Sequence, residues 1–164
     1  MNDELTKILT ILDEVIIERN HEMIRDGLPF NPTCKITVLG QISLLINNKL
    51  PATIHIAATA DLDAIMNGDH WIKKRLESLV NNAGLYLEDD AHLIWIPPES
   101  TFTEYFRGRY VSCDVIDPLY CLLSKAIKAK EKNKLLIQQA LIEFGDELES
   151  LIKKHHGHLD YFYE

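Results

Sequence analysis

The stretch HIAATADLDAIMNGDHW, residues 55–71, carries two aspartates one residue apart in a segment that otherwise has the apolar character of a strand. In an extended chain successive side chains point to opposite faces, so Asp61 and Asp63 share one face while Leu62 points to the other. Two carboxylates that converge on one spot repel each other unless water, a cation or a proton lies between them. The spacing therefore predicts a site for a divalent metal ion at this point of the chain.

Helix and strand signals alternate upstream of these aspartates. Apolar residues at helical spacing predict an amphipathic helix over residues 3–26 that ends before Gly27. CKITVLGQ, residues 34–41, predicts a short strand stopped by Gly40, and ISLLINNK, residues 42–49, predicts a brief helix. TIHIAATADLDAIM, residues 53–66, predicts the second strand and contains both aspartates.

The downstream half predicts a helix, a group of strands and two further helices. NGD offers a turn and an N-cap for a helix from about Asp69 to Ala83. LYLEDD, HLIWIP and RYVSCDVID predict three short strands in an antiparallel meander. From Pro118 one helix runs to about Lys130 and, after EKNK, a second runs to about Lys154. The whole predicts an α+β fold, in which a small mixed sheet over residues 35–117 is flanked by an N-terminal helix (1–26) and C-terminal helices (118–154).

The composition predicts one domain spanning residues 1–164. A chain of this length with 46% hydrophobic residues can bury a core large enough to fold alone. Its 17 Lys and Arg against 25 Asp and Glu leave a net charge of -8, which gives no general attraction for nucleic acid or for an anionic membrane. Any polyanion that binds this chain therefore needs a local basic patch.

The cysteines and the N-terminal sequence together predict a cytoplasmic protein. Cys34, Cys113 and Cys121 lie far apart without a CxxC spacing, and their odd number argues against a disulfide framework. The N-terminus is acidic and mixes charged with apolar residues, unlike a signal peptide. No window reaches the roughly 18 apolar residues of a membrane span, so we expect no membrane partner.

Two short motifs resemble the nucleotidyltransferase superfold. VLGQISLLIN followed by TADLDAI is similar to bacterial nucleotidyltransferase-like proteins related to abortive-infection toxins, in which a strand ends in a glycine motif that opens a helix. The next strand in that family carries Asp-x-Asp, with a threonine or serine two residues earlier. Gly40, Thr59, Asp61 and Asp63 stand at those positions. The resemblance spans roughly residues 35–142, because VIDPLYCLLSKAIKAKEKNKLLIQQAL also resembles the family's strand, proline-led helix and lysine, with Lys125 matching the lysine.

The resemblance implies a magnesium-dependent transferase that uses a nucleoside triphosphate (NTP) as donor. Asp61 and Asp63 would bind two Mg²⁺ ions on the nucleotide phosphates, while a nucleoside monophosphate moves to a hydroxyl of an RNA, a protein or a small molecule. A third carboxylate would come from a later strand. Asp114 is the first candidate because it shares a strand face with Tyr110 and Ser112, and Asp117 is the second, although it more plausibly caps the next helix. The residues implied to bind the nucleotide are Gly40, Gln41, Thr59 and Lys125.

Three departures from the family pattern favour a different hypothesis. Gln41 stands where the family has a second glycine or a serine, and the long gap between Gly40 and Asp61 predicts an extended loop or an extra strand. The acidic residue that the family carries after the lysine is missing near Asn133 and Leu136. The alternative is therefore a catalytically impaired domain that binds a protein partner, for example in a toxin and antitoxin type of system. A third hypothesis is an unrelated α+β interaction protein. An enzyme of this type needs Asp63 and Asp114 on adjacent strands within reach of one cation, so a larger separation contradicts the enzyme.

Two further stretches contain groups that suit ligands. KKHHGH near residue 156 offers histidines to a transition metal, although such a stretch near a terminus is more often a polar tail. TEYFRGR, residues 103–109, combines aromatic and basic residues and is predicted to line a cleft where a base could stack.

Overall fold

The computed structural model describes residues 1–28 and 33–164, and within them the chain has an α+β fold, as predicted. The helices are α1 (Asn2–Arg25), α2 (Gly40–Ile46), α3 (His70–Asn82), α4 (Pro118–Lys128), α5 (Lys134–Phe144) and α6 (Asp146–Lys154). The strands are β1 (Cys34–Val38), β2 (Asp61–Leu62), β3 (Ala64–Asn67), β4 (Tyr86–Leu87), β5 (Phe102–Arg107) and β6 (Val111–Ile116). Short 3₁₀ helices lie at Asp89–Leu93 and Leu159–Phe162.

The main sheet has four strands in the order β3-β1-β6-β5. β1 is antiparallel to β3 and parallel to β6, and β5 is antiparallel to β6. β2 and β4 form a separate two-stranded parallel sheet, with Asp61 opposite Tyr86 and Leu62 opposite Leu87. The sheet is therefore mixed and small, as the sequence predicts.

Two hydrophobic clusters hold the helices on the sheet. The first joins α1 and α3 to the buried alternate residues of β1 and β6, and α1 contributes Leu5, Leu9, Leu12 and Ile16, which lie on one face of the helix. The second packs α2, α4, α5 and α6 together around side chains such as Leu122, which is fully buried. The carboxyl ends of β1 and β6 lead into α2 and α4, so this edge of the sheet lies beside the second cluster.

The segment predicted as one strand over residues 53–66 is divided into separate pieces. Residues 55–60 have no regular secondary structure, and the strand that follows is interrupted at Asp63 between β2 and β3. The interruption arises because β2 pairs with β4 whereas β3 pairs with β1. The Leu39 amide donates to the Asp63 carbonyl at 2.7 Å, which fixes the break beside α2. The long gap after Gly40 is thus an extended loop, one of the two predicted alternatives.

The predicted antiparallel meander of three strands is wrong, because β4 pairs in parallel with β2 in the separate two-stranded sheet. HLIWIP is not a strand, because its first residues belong to the 3₁₀ helix Asp89–Leu93 and the chain then runs irregularly into Pro97 and Pro98. The partner of β6 is instead β5, which contains most of the TEYFRGR stretch that we predicted to line a cleft. β5 is an edge strand with no fully buried residue, so its sequence lacks the apolar run that marks an interior strand.

The C-terminal half is helical, as predicted, but the long second helix is two helices. Gly145 separates α5 from α6 and has φ of 55°, a left-handed conformation that side-chain-bearing residues rarely adopt. The chain therefore turns at Gly145, and α6 packs back on α4 and α5. None of the helices in the described residues is long and apolar enough to cross a membrane.

Candidate functional site

The candidate site begins with the contact between Gly40 and Asp63. Gly40 is the first residue of α2 and has φ of 62°, which favours glycine. A Cβ atom at Gly40 would collide with the Asp63 Oδ2 atom, so no larger residue fits without moving that carboxylate. The glycine at the end of β1 therefore allows the second aspartate of the Asp-x-Asp motif to approach the backbone of α2.

The two aspartates lie on the same side of the chain, as their spacing predicts. Asp61 is exposed and Asp63 half-buried, whereas Leu62 and Ala64 are buried in the first cluster. Burial raises the pKa of the Asp63 carboxyl, and the negative charge of Asp61 raises it further. The site is thus one where a positive charge would stabilise the ionised carboxylates.

A cavity of about 680 Å³ opens beside Asp63. Its apolar lining comes from Leu39 after β1, from the end of β6 and from the segment around Trp95, and its polar lining comes mostly from α4 and the chain between α4 and α5. Among its lining residues are Leu39, Gly40, Asp63, Leu93, Ile94, Trp95, Ile116, Cys121, Ser124, Lys125, Lys128, Lys132 and Asn133. The cavity therefore brings together Gly40 and Asp63, which belong to the two motifs, and Lys125, which matches the lysine of the resemblance.

Lys125 and Lys132 give the polar wall positive charge close to Asp63. Their charges lower the pKa of the Asp63 carboxyl and so oppose the effects of burial and of Asp61. Lys125 is half-buried on α4, whereas Lys132 is exposed and comes from the connection to α5. Two ammonium groups from separate elements thus act on one carboxylate.

Side-chain contacts fix the rest of the wall. The Ser124 hydroxyl donates to the Trp95 carbonyl at 2.7 Å, and the Lys128 Nζ atom lies 5.6 Å from the centre of the Trp95 ring. The Asn133 amide donates to the Ala129 carbonyl at 2.7 Å. These contacts connect α4 with the segment before β5 and with the start of α5, so the cavity has a defined shape.

Gln41 and Thr59 hold the long loop rather than lining this cavity. The Gln41 side-chain amide donates to the Ala57 carbonyl at 2.6 Å, and the Thr59 hydroxyl accepts from the Asp61 amide at 3.2 Å. Gln41 lines a neighbouring cavity of about 440 Å³, between the loop and α5. Of the residues implied to bind nucleotide, the structure therefore brings Gly40 and Lys125 together with Asp63.

Asp114 is placed away from the two motif aspartates. It lies on β6 opposite Thr37, and β1 runs between β6 and the strand that follows Asp63. The Lys35 Nζ atom lies 3.6 Å from the Asp114 Oδ2 atom. In residues 1–28 and 33–164 no group of three or more His, Cys, Asp or Glu side chains is arranged to hold a metal ion. The three-carboxylate set implied by the resemblance is not assembled in these residues.

Asp117, the second candidate for the third carboxylate, is buried in a hydrogen-bond network. Its carboxylate accepts from the hydroxyls of Thr101 and Thr103, from the Asn47 amide at 3.4 Å and from the Lys49 ammonium at 3.3 Å. Burial alone would raise the pKa of Asp117, but these donors outweigh burial and lower it. Asp117 occupies the N-cap position of α4, as predicted, yet its side chain bonds to none of the helix amides.

The structure adds one acidic residue that the sequence did not single out. Glu88 follows β4 and its amide donates to the Leu62 carbonyl at 3.0 Å. Burial raises the pKa of Glu88, and the charges of Asp61 and Asp63 and a hydrogen bond with Asp61 raise it further. No sequence signal marks Glu88, because its place depends on the pairing of β4 with β2.

A magnesium ion fits the site only in part. Mg²⁺ in nucleotide sites is commonly held by one or two carboxylates together with phosphate oxygens and water, rather than by a complete protein cage. Asp61 and Asp63 can supply such a pair of carboxylates for one ion. The donor set for two ions bridged by a third carboxylate is not present in the described residues.

The histidines near the C-terminus do not form a metal site in the structure. The His155 Nε2 atom lies 2.6 Å from the Glu99 Oε1 atom, and its ring packs edge-on against Trp95 at 5.1 Å. His156 and His158 are exposed. His155 therefore connects α6 to the segment before β5.

No family model, curated protein or solved structure matches this chain.

Proposed function

We propose that this chain is a nucleotidyltransferase-like domain that binds an NTP with Mg²⁺ in the Asp63 cavity. The reaction would transfer a nucleoside monophosphate to a hydroxyl of an RNA, a protein or a small molecule. One observation carries the proposal: Asp63 lies against Gly40 and lines a cavity that Lys125 and Lys132 also line. One carboxylate for a cation and two ammonium groups for phosphate thus line one cavity, while Asp61 lies outside its lining.

The dimensions and the lining of the cavity support a nucleotide as the ligand. Ligand pockets commonly enclose about 300–1,000 Å³ and combine apolar walls with a few polar groups, and this cavity has about 680 Å³. Leu39, Ile94 and Ile116 offer apolar surface to a base or a sugar, while Lys125 and Lys132 suit its phosphates.

The residues of the site have separate roles in this proposal. When bound, Mg²⁺ would stabilise the charge that develops on the phosphate oxygens. Asp61 and Asp63 hold the cation, Gly40 lets the Asp63 carboxylate lie against the chain, and Lys125 orients the phosphates. Glu88 lies beside Asp61, but in the described residues no three such side chains are arranged to hold a metal ion, so we assign no residue as the base for the attacking hydroxyl.

The second candidate is the catalytically impaired domain that binds a protein partner. The observation that favours it is the separation of Asp114 from Asp63, together with the ion pair that Asp114 makes with Lys35. The engagement of Gln41 with the Ala57 carbonyl supports it as well, since this side chain occupies the family's phosphate-binding position without lining the cavity.

Calorimetric titration with each of the four NTPs, in Mg²⁺ and then in EDTA, tests the proposal. We expect binding that requires the metal and is lost in an Asp61→Asn, Asp63→Asn double variant. An Asp89→Asn, Asp90→Asn variant is the matched control, because it removes the same charge from exposed residues nearby. Thermal melting followed by circular dichroism confirms that each variant is folded.

Three outcomes decide between the two candidates. Metal-dependent binding that only the Asp61, Asp63 variant loses, with pyrophosphate release when acceptors are added, supports the transferase. Binding without pyrophosphate release from any acceptor class supports the impaired domain. The absence of any NTP binding by the folded wild-type chain contradicts the proposed nucleotide site.

A further inference from the structure

Tyr86 lies beside Asp61 in the separate two-stranded sheet. β4 runs parallel to β2, and its register places Tyr86 directly opposite Asp61. A hydrogen bond fixes this register, because the Tyr86 amide donates to the Ala60 carbonyl at 2.8 Å. Neighbouring strands lie about 4.8 Å apart, and residues directly opposite each other point to the same face. The Tyr86 and Asp61 side chains therefore project next to each other.

The Tyr86 side chain points to solvent. The residues on either side of it, Leu85 and Leu87, pack in or against the first cluster. Because side chains alternate along a strand, Tyr86 faces the other way, and it is 64% exposed. Within the parts of the chain that the structure describes, we find no hydrogen bond to the Tyr86 hydroxyl. Tyr86 thus presents a phenol beside the motif aspartate while contributing little to the core.

The direction of attack on a bound nucleotide favours this position. Lys125 and Lys132 line the cavity and suit the phosphates, so pyrophosphate would leave within the lining. An attacking oxygen approaches the α-phosphorus roughly in line with the leaving group, from the other side. Asp63 belongs to the lining, whereas Asp61 and Tyr86 lie outside it. The Tyr86 hydroxyl would therefore approach the α-phosphate from the side that the attack requires.

We infer that Tyr86 accepts the nucleoside monophosphate, so that the chain nucleotidylates itself on this phenol. The Tyr86 Oη atom forms a bond to the α-phosphorus of the bound NTP, the bond from that phosphorus to the bridging oxygen breaks, and pyrophosphate leaves. The phenolic proton passes to water, and the product is a phosphodiester between Tyr86 and the nucleoside. This inference rests on the proposed function, because it uses the same bound nucleotide.

The chain offers two hydroxyls against which Tyr86 can be compared. Tyr163 is equally exposed, at 63%, but its hydroxyl donates to Glu149 on α6 at 3.3 Å and it does not line the Asp63 cavity. Tyr163→Phe is therefore the matched control for Tyr86→Phe. Thr59 is a competing acceptor, because its hydroxyl lies 3.2 Å from the Asp61 amide.

Incubation with Mg²⁺ and each of the four NTPs, labelled on the α-phosphate or on the γ-phosphate, tests the modification. Mass spectrometry of peptides then locates the label. We expect label from the α-phosphate alone, on Tyr86, with complete loss of label in Tyr86→Phe and none of that loss in Tyr163→Phe. The labelled fraction should not change when the chain is diluted, because Tyr86 and Asp61 belong to one chain.

Tyrosine nitration by tetranitromethane tests the same placement without any turnover. The wild-type chain is treated with and without Mg²⁺ and an NTP analogue whose α–β bond cannot be cleaved. We expect the bound analogue to reduce nitration of Tyr86 and to leave nitration of Tyr163 unchanged, because only Tyr86 lies beside the nucleotide.

The outcomes separate this inference from the proposed function. Label on Thr59 or Tyr163 in place of Tyr86, label from the γ-phosphate, or a labelled fraction that falls on dilution would each overturn the inference. Equal nitration of Tyr86 with and without bound analogue would overturn it too. Calorimetric binding of an NTP with Mg²⁺ that leaves Tyr86 unlabelled overturns the inference and keeps the nucleotide site. If the folded wild-type chain binds no NTP, the proposed function fails and the inference fails with it.

Discussion

Asp63 and Asp117 are two carboxylates beside the same edge of the sheet, with opposite electrostatic environments. Asp117 is 7% exposed and accepts four side-chain hydrogen bonds, and its pKa is lowered. Asp63 is half-buried, and its pKa is raised. We find no hydrogen bond to the Asp63 carboxylate from residues 1–28 or 33–164. The two pKa values move in opposite directions because hydrogen-bond donors surround the Asp117 carboxylate and not the Asp63 carboxylate.

This comparison separates a carboxylate that serves the fold from one that suits a ligand. Burying a charge costs free energy unless hydrogen bonds or opposite charges replace the lost water. At Asp117 the chain itself supplies these partners, and they connect the segment after α2 to β5 and to the start of α4. Two nearby lysines act on the Asp63 carboxylate, which also lines an open cavity. A ligand in that cavity can therefore supply the positive charge or hydrogen bonds that the chain does not.

The largest effect in this comparison is expected from Asp117→Ala. The substitution removes the acceptor of the Thr101 and Thr103 hydroxyls and of the Lys49 ammonium, whereas the Asn47 amide keeps its bond to the Ile116 carbonyl. Loss of several hydrogen bonds to one charged group is costly. We expect the free energy of unfolding to fall by about 3 kcal/mol. Urea denaturation followed by circular dichroism measures this change, with Asp90→Ala at an exposed position as the control. A loss below about 1 kcal/mol would mean that the network contributes little to the fold.

A Gly40→Ala substitution should have the next largest effect, because it acts on the fold and the site together. The left-handed conformation costs a residue with a Cβ atom about 1–2 kcal/mol, and the new atom would collide with the Asp63 carboxylate. We expect about 2 kcal/mol less stability by urea denaturation, together with lost NTP binding. Gly84→Ala is the control, since φ there is 77° but no atom lies within 4 Å of the added Cβ. Equal losses in both variants would show that backbone strain alone is responsible.

The sequence predicts the elements of this fold better than their pairing. Helical periodicity and capping residues are local, so α1, α3 and α4 lie close to where they are predicted. β5 was missed because an edge strand buries little and lacks an apolar run. The division of the second predicted strand at Asp63 was missed because it depends on which distant strand pairs with each half.

The candidate site was predictable only where it depends on local spacing. Asp61 and Asp63 are predicted to share one side because side chains alternate along an extended chain. The glycine at position 40 is predicted because a turn follows β1, and the structure shows that a larger residue there would meet Asp63. The place of Asp114 depends on strand order, which a single sequence does not encode locally. The network of Asp117 likewise involves Asn47 and Thr101, which lie far away along the chain.

The pH dependence of stability compares the two carboxylates directly. We expect it to change the free energy of unfolding by less than the Gly40 substitution does. The pKa of Asp117 is lowered in the folded chain, so its contribution to stability is present above its unfolded pKa near about 4 and is lost as the pH falls further. The pKa of Asp63 is raised, so its ionised form costs stability at neutral pH and protonation removes that cost.

Single Asn variants isolate each carboxylate when urea unfolding is measured from pH 3 to pH 7 in EDTA. We expect Asp117→Asn to be less stable than the wild type at pH 7, with a deficit that shrinks below about pH 4. We expect Asp63→Asn to be more stable than the wild type at pH 7, with an advantage that shrinks as the pH falls. An Asp63→Asn variant that is less stable at pH 7 would show that this carboxylate serves the fold after all.

The smallest effect on stability is expected from Asp114→Asn, which tests the first candidate for the third carboxylate. Its ion pair with Lys35 is largely exposed, with side-chain exposures of 29% and 61%, and such pairs contribute little. We expect less than about 0.5 kcal/mol loss of stability by urea denaturation. Because β1 separates Asp114 from Asp63, we also expect unchanged NTP affinity in the calorimetric titration with Mg²⁺.

Loss of metal-dependent binding in a folded Asp114→Asn variant would instead mean that nucleotide brings Asp114 to the other two carboxylates. The contrast between Asp63 and Asp117 would then describe only the free chain, since binding would complete the site with the third carboxylate.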